Sequence, residues 1–420
     1  MTSTDLDLLP RLADAATGDA REGGAEDHVD GMPCRWVVRP RDTAQVSAVL
    51  RVAHEAGLAV VPRGTGSKLG WGAAPERVDV LLDLSRLDAL VEHAAGDLIT
   101  VVGAGRRLDD LQDDLASAGQ WLAVDPPRRG TGGTAGGLVA TATTGPTRLL
   151  HGPVRDLVIG ATMVRADGVV ARSGGKVVKN VAGYDLGKLL TGSFGTLGVI
   201  TEVAFRLHPV AEAHQWVSVP VASAHHAHAL VQGVIHSHLV ATACELDRPA
   251  RGEATLAVRL DGIVPGVAVR TAAARELLGA AAEASDGAPP WWGSEPGSAG
   301  EVRLKLTHEI AALVQLLEAL DRAATSSGVP IDVRGSAAVG VLTVALRGTP
   351  DRAAIAGVVE ELRSAARSFG GSVVVLDADP ETKQRLDVWG PVKGLDLMRR
   401  VKEQFDPDRV LSPGRFVGGI

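Results

Sequence analysis

Residues 58–72 read Leu58-Ala59-Val60-Val61-Pro62-Arg63-Gly64-Thr65-Gly66-Ser67-Lys68-Leu69-Gly70-Trp71-Gly72. The apolar run at 58–61 predicts a buried strand, and Arg63 to Gly72 a glycine-punctuated loop directly after it. Glycines let successive backbone N–H groups point into one concavity, and a pair of phosphates needs such donors with no side chain in the way. Thr65 and Ser67 add hydroxyl groups. An ordinary glycine-rich turn has the same composition, so this stretch alone does not decide its use.

Upstream, Trp36-Val37-Val38 predicts a short strand. Asp42 or Thr43 caps a helix carrying Val46, Val49, Leu50 and Ala53 on one face, and Gly57 ends it. Downstream, strands near 98–102 and 121–124 flank a helix at 108–118. A second glycine-rich stretch follows, Gly130-Thr131-Gly132-Gly133-Thr134-Ala135-Gly136-Gly137, running into small residues to Gly145. Small residues that open a helix allow close approach of backbone to a flat or anionic ligand. Two such loops, each after a strand in one domain, are hard to dismiss as turns. A hairpin at 158–171 turns at Asp167-Gly168, and a strand at 199–208 closes the region.

Beyond Pro209 the glycine loops thin out and the pattern becomes strand, helix, strand, strand, helix, including segments at 254–260 and 271–282. It recurs from Val302: strand 302–306, helix 310–324, strands at Ile331 and 339–346, helix 352–369, strand 372–376. This predicts an α+β domain built on split β-α-β sheets. Between the two copies, 284–300 is rich in Gly, Pro and Ser but holds Trp291 and Trp292. It reads as a linker with an aromatic anchor or, alternatively, as a lid.

The chain has 420 residues with net charge −7 and pI near 6.0, which supplies no excess of positive charge for a nucleic-acid backbone. No apolar run approaches a transmembrane length and the opening residues lack a signal-peptide pattern, so a cytoplasmic location is expected. The cysteines, Cys34 and Cys244, are too few for an iron–sulfur cluster or a disulfide framework. Gly103-Ala104-Gly105, with Asp125 further on, imitates a dinucleotide fingerprint, but Leu108 stands where its third glycine belongs. No P-loop string occurs. His225, His226, His228, His236 and His238 lack accompanying carboxylates, so no metal site is expected.

In order and spacing, the two glycine loops, then Gly152-Pro153-Val154-Arg155-Asp156-Leu157-Val158-Ile159-Gly160, Lys179-Asn180-Val181-Ala182-Gly183-Tyr184-Asp185-Leu186, and Gly192-Ser193-Phe194-Gly195-Thr196-Leu197-Gly198-Val199-Ile200-Thr201 resemble the FAD domain of the vanillyl-alcohol oxidase (PCMH-type) family. Residues 405–415, ending Ser412-Pro413-Gly414-Arg415, resemble that family's closing segment. The likeness is specific over 33–210 and 390–416 and weak between, and within the family it is greatest to the FAD-binding subunit of bacterial glycolate oxidase.

The resemblance implies an N-terminal helical segment at 1–32, a PCMH-type FAD-binding domain of two α+β subdomains at 33–209, an α+β (ferredoxin-like) cap at 210–385, and a segment at 386–420 returning to the flavin. It implies that Pro62, Arg63, Gly64, Thr65, Gly66 and Ser67, with Gly133, Thr134, Gly136 and Gly137, hold the pyrophosphate of FAD. Asp156 braces the site, Val199 and Ile200 lie by the adenine, and Arg415 closes it. Ser67 replaces a histidine that several relatives bond covalently to flavin, so non-covalent FAD is expected. Ser412 replaces the usual asparagine of the closing segment.

The implied activity is oxidation of a small 2-hydroxy acid such as glycolate, with hydride passing to flavin and electrons onward to an iron–sulfur subunit, possibly beside a second flavin subunit and peripheral to the membrane through these partners. The alternatives are a stand-alone FAD oxidoreductase of another alcohol or acid, and an electron-relay subunit without its own substrate. Arg303 and Lys305, on one face of a predicted strand, are the candidates for the substrate carboxylate, against the plainer expectation of a solvated strand face. No catalytic base is apparent.

Overall fold

The apolar runs at Trp36–Val38, Val80–Asp83 and Val60–Arg63 lie side by side in that order as parallel strands, with Ala20–Glu22 added antiparallel at the edge. Strands covered on both faces need apolar residues at successive positions, which is why these runs do not alternate. Helix Thr43–Glu55 covers one face with Val46, Val49, Leu50 and Ala53. The Asp42 side chain accepts the Gln45 amide at its start, and Gly57, at φ +63°, leads the chain away from its end. The computed structural model describes residues 8–127, 132–175 and 184–420. Within it the opening segment is mixed rather than helical. Helix Leu8–Ala15 sets Leu8 and Leu12 into the first core, and short strands follow at Ala20–Glu22, His28–Val29 and Met32–Pro33.

A second sheet is antiparallel throughout, in the order Val170–Gly174, Val158–Val164, Val199–Arg206, Ile99–Gly103, Leu90–Ala94. Its hairpin turns through Gly168 at φ +81°, as the Asp167-Gly168 pair predicts. The strand expected at 121–124 is shorter: only Gln120–Trp121 pairs, with His208–Pro209, outside the five-stranded sheet. Leu122, Ala123 and Val124 are buried all the same. The Gln112 side chain takes over the role of a neighbouring strand, donating to the Leu122 carbonyl (2.7 Å) and accepting its N–H (3.1 Å).

The third sheet has eight antiparallel strands, in the order Glu283–Ser285, Ala213–Val221, Ala254–Gly262, Ala243–Arg248, Ile331–Ser336, Val341–Leu346, Val302–Thr307, Ser372–Asp377. Each half is one strand–helix–strand–strand–helix–strand unit of ferredoxin-like order, and the two join edge to edge at Ala243–Arg248 and Ile331–Ser336. Helices Ala224–Ile235, Val264–Leu278, Leu313–Ser327 and Arg352–Arg367 share one core with it. Side chains alternate along a strand. Cys244, Leu246, Leu304, Leu306, Leu342 and Val344 enter that core, while Glu245, Lys305 and Thr343 take the other face.

Helix Leu395–Phe405 then brings the chain back. Leu411 bridges Val60 in parallel, and the Ser412 N–H donates to the Val60 carbonyl. The buried Lys402 ammonium holds this return, donating to the Thr196 and Leu411 carbonyls and pairing with Asp406 at 2.6 Å. Among the described residues no helix is long and apolar enough to cross a membrane.

Candidate functional site

The two glycine loops meet where the first and second sheets abut, and between them opens a cleft of about 780 Å³ including the solvent at its mouth. Pro62, Arg63, Gly64, Thr65, Gly66, Ser67, Gly133, Thr134, Gly136, Gly137, Ile200 and Arg415 all line it, joined by Lys68, Phe194 and Gly195. Gly130 and Thr131, and the 179–183 part of the sequence match, lie outside the described residues. Two expected residues are elsewhere. Asp156 is exposed on the short helix Val154–Leu157, and the Val199 side chain is fully buried in the first core because Ile200, its strand neighbour, faces the cleft.

Gly64 is glycine because a Cβ would stand 2.4 Å from the Thr134 hydroxyl, and Gly66 adopts φ +82°. Among the described residues no partner is found for the backbone N–H groups of 64–67. The Thr65 hydroxyl is already engaged, donating to the Gly132 carbonyl at 2.9 Å. It fastens loop to loop and is not a spare donor for an anion.

In the second loop the N–H of Ala135 bonds the Arg106 carbonyl (2.9 Å), that of Gly136 the Ala104 carbonyl (2.8 Å), and that of Gly137 the Thr134 hydroxyl (3.2 Å). A Cβ on Gly136 would lie 2.8 Å from the Ala104 Cβ. These glycines let helix Ala135–Thr141 seat against 104–106, and of the cleft-lining residues of this loop Gly133 and Thr134 have amides without a partner among the described residues. The same reason explains Gly103 and Gly105, where a Cβ would meet the Leu87 and Leu84 carbonyls at 2.1 Å each. The dinucleotide-like string is a packing surface.

Three cations border the cleft. The Arg63 guanidinium turns aside to Asp83 (2.8 Å) and Asp27 (3.3 Å); burial pushes the Asp27 carboxyl up, but hydrogen bonds from Arg21, the Gly24 amide and Arg63 outweigh it and lower the carboxyl to about 2. Lys68, which the sequence reading passed over, reaches the second loop: its Nζ lies 3.5 Å from where a Gly133 Cβ would be. Arg415 donates to the Leu69 and Trp71 carbonyls, and its buried Nε has no hydrogen-bond partner among the described residues. Burial lowers the Arg415 pKa to about 10, partly opposed by Asp30. Unpaired amides, a lysine and a buried arginine with an unused donor fit the pyrophosphate of a dinucleotide. Cys34 and Cys244 are buried in different cores and neither lines the cleft. Ser412 is fully buried, its Oγ without a hydrogen-bond partner among the described residues, and does not line the cleft either.

Across Thr141 and Phe194 the cleft adjoins a chamber between the second and third sheets, lined also by Arg148, Lys305, Thr343 and Trp389. Lys305 is there as its strand position predicts, but the solvated-face expectation is corrected: that face of the sheet is covered by the second-sheet domain, and Lys305 lines the chamber between them. Burial lowers the Lys305 pKa, and Arg148 adds to the effect. Arg303 is no candidate for a carboxylate. Buried at 6% exposure, it pairs with Asp377 (3.2 Å) and Glu295 (3.5 Å) and donates to the Pro296 and Ser298 carbonyls. It pins the 284–300 segment, whose Trp291 stacks under Arg334 and forms a wall of the chamber's far end. For the side chains of Arg148 and Lys305, no hydrogen bond or ion pair is found among the described residues. Among those residues, too, no three His, Cys, Asp or Glu side chains group for a metal.

Comparison with known proteins agrees with this geometry. A family model described as FAD binding domain matches residues 34–174. The chain is 27% identical to glycolate oxidase subunit GlcD of Bacillus subtilis over 90% of its own length and 88% of that protein's. It is 38% identical to D-lactate dehydrogenase of Archaeoglobus fulgidus over 41% of this chain and 38% of that one. In structure it is similar to substrate-bound p-cresol methylhydroxylase, with a TM-score of 0.77 at 16% identity, covering 99% of this chain and 97% of that one.

Proposed function

Because the chain belongs to the PCMH-type family of FAD-dependent oxidoreductases, we propose that it oxidises a 2-hydroxy acid at a non-covalently held FAD. Bound in the cleft, the flavin supplies the two-electron acceptor chemistry. The chain's residues do the rest. The amides of 64–67, with Lys68 and Arg415, receive the pyrophosphate, and Gly133 and Thr134 add donors from the far side. Arg148 and Lys305 clamp the substrate carboxylate, orienting the hydroxyl-bearing carbon toward Phe194 and the cleft. The similarity to GlcD and to a D-lactate dehydrogenase supports this substrate class.

The observation that carries the reading is the convergence of two cations, without anionic partners at ion-pair distance among the described residues, in a chamber sharing Thr141 and Phe194 with the cofactor cleft; Glu295, which also lines it, pairs with Arg303. Burying such a pair is costly unless an anion completes it. Anaerobic addition of glycolate, D-lactate and L-lactate to the flavin-loaded protein tests it. At least one of them should bleach the flavin absorbance, and Arg148→Ala and Lys305→Ala should each raise the concentration required. Bleaching by alcohols lacking a carboxylate, equally in both variants, would refute it.

Reduced flavin must be reoxidised, and Cys34 and Cys244 lie in separate cores and cannot share a cluster. We assign the iron–sulfur step to a partner subunit, as GlcD's designation as a subunit suggests. Native affinity purification should recover a cysteine-rich chain with iron. Full-rate turnover by the isolated chain with oxygen or a soluble dye would favour the stand-alone reading instead.

A further inference from the structure

The chamber continues past Arg148. Its far end shares Thr144, Arg148 and Thr343 with the near part and adds Glu245, Arg334 and Trp291 around a cavity of about 70 Å³ that opens to solvent. Glycolate or lactate clamped at Arg148 and Lys305 leaves that end unfilled. Glu245 is 5% exposed there, with Ser336 donating to one of its carboxyl oxygens. No other hydrogen bond or ion pair of the Glu245 side chain is found among the described residues.

The other charged groups nearby are already committed. Arg334 donates to Asp247 at 2.8 Å and to Ser294 at 2.7 Å, and Asp125 accepts from the Thr147 amide and hydroxyl. Buried polar atoms without full partners are costly, and filling such a position repays a ligand. Resting on the reading of Arg148 and Lys305 as the carboxylate clamp, we infer that the substrate is a 2-hydroxy acid longer than lactate, with a polar, non-acidic tail that hydrogen-bonds to Glu245. A second carboxylate fits poorly because it would add another acid to Glu245, Glu295 and Asp125. Burial raises Glu245 to about 8, with Ser336 opposing and Asp125 adding to the rise, and burial raises Asp125 to about 6. Both already resist ionisation.

The test compares kcat/KM for lactate, 2-hydroxyhexanoate, 2-hydroxyadipate and 2,6-dihydroxyhexanoate on the flavin-loaded protein. Calorimetry with the corresponding 2-oxo acids reads binding apart from turnover. The dihydroxy acid should exceed lactate and 2-hydroxyadipate by about tenfold or more, the scale of a buried hydrogen bond. Glu245→Leu should erase that ratio. Thr343→Leu, which narrows the passage without touching Glu245, should lower it as well, so a poorly folding Glu245 variant does not remove the test. Equal rates and affinities for short and long acids, or a preference for the dicarboxylate, would overturn the inference while leaving 2-hydroxy-acid oxidation standing. Failure of every 2-hydroxy acid to bleach the flavin would instead remove the underlying reading.

Discussion

The two glycine-rich loops have nearly the same composition and different employment. In 63–72 the amides of 64–67 are without partners among the described residues and face the cleft. In 132–137 three of the amides are bonded to protein, and Gly136 is glycine because Ala104 lies against it. Glycine marks close backbone approach: Gly64 and Gly136 both give way to another segment of the same chain, and the first loop differs in the amides it leaves for the ligand proposed above. On the proposed reading the first loop binds, and the second is mainly the abutment that keeps it in place, through Thr65 to Gly132 and Thr134 against Gly64.

Substitutions at Gly66 and Gly136 sharpen this contrast most. Gly66→Val has room for its side chain, the nearest atom lying 3.6 Å from the new Cβ, but disfavours φ +82° and turns the donor amides. FAD affinity should fall by about a hundredfold or more, the scale of one or two charge-assisted hydrogen bonds, with a small change in melting temperature. Gly136→Val should show the reverse order. Overpacking against Ala104 costs roughly 1–3 kcal/mol of stability, and flavin affinity should fall only as the fold loosens. Titration of the apoproteins with FAD, beside thermal melts, reads both. A Gly136 variant of full stability that has lost FAD would break the distinction.

A smaller effect separates the hydroxyls. Thr65→Val removes a loop-to-loop bond worth about 1 kcal/mol, so it should lower melting temperature more than Ser67→Ala does, while Ser67→Ala should lower FAD affinity more. Equal effects on both measures would mean that the Thr65 hydroxyl also serves the ligand.

The weakest expected signal lies in the chamber. Glu245 is raised from 4.5 to about 8 and Asp125 from 3.8 to about 6, each chiefly by burial. The native state therefore holds these protons more tightly than the unfolded chain, and stability falls as pH rises from near 4 through 6 to 8. Melting temperature should decline across that window, and Glu245→Gln should flatten the upper part of the decline. An unchanged slope would show that Glu245 does not titrate there.

Much of this was legible in the sequence, and the misses have physical causes. Apolar runs, caps and the repeated strand–helix pattern announce all three sheets, because burial and alternation are local. The strand expected at 121–124 is absent from the sheet because a side chain, Gln112, substitutes for a neighbouring strand, and nothing near 121 shows that. Arg303 and Lys305 looked alike. They differ through Glu295 and Asp377, of which Asp377 is 74 residues from Arg303 and unpredictable without the fold. Arg148 sits in no motif, and only the approach of the third sheet gives it a role. Glu245 did carry a signal: an acid alternating with Cys244 and Leu246 in an interior strand is a buried acid wherever the opposite face is also covered.

The most direct test of the account is the relative affinity of the apoprotein for FAD and FMN, with the cofactor released from the native protein identified by chromatography after acid precipitation. Donor amides with Lys68 and Arg415 around a pyrophosphate predict yellow FAD in the supernatant and binding at least about a hundredfold tighter than FMN, since the lost phosphate contacts are charge-assisted. Comparable affinity for FMN, or colour that stays with the precipitated chain, would contradict it.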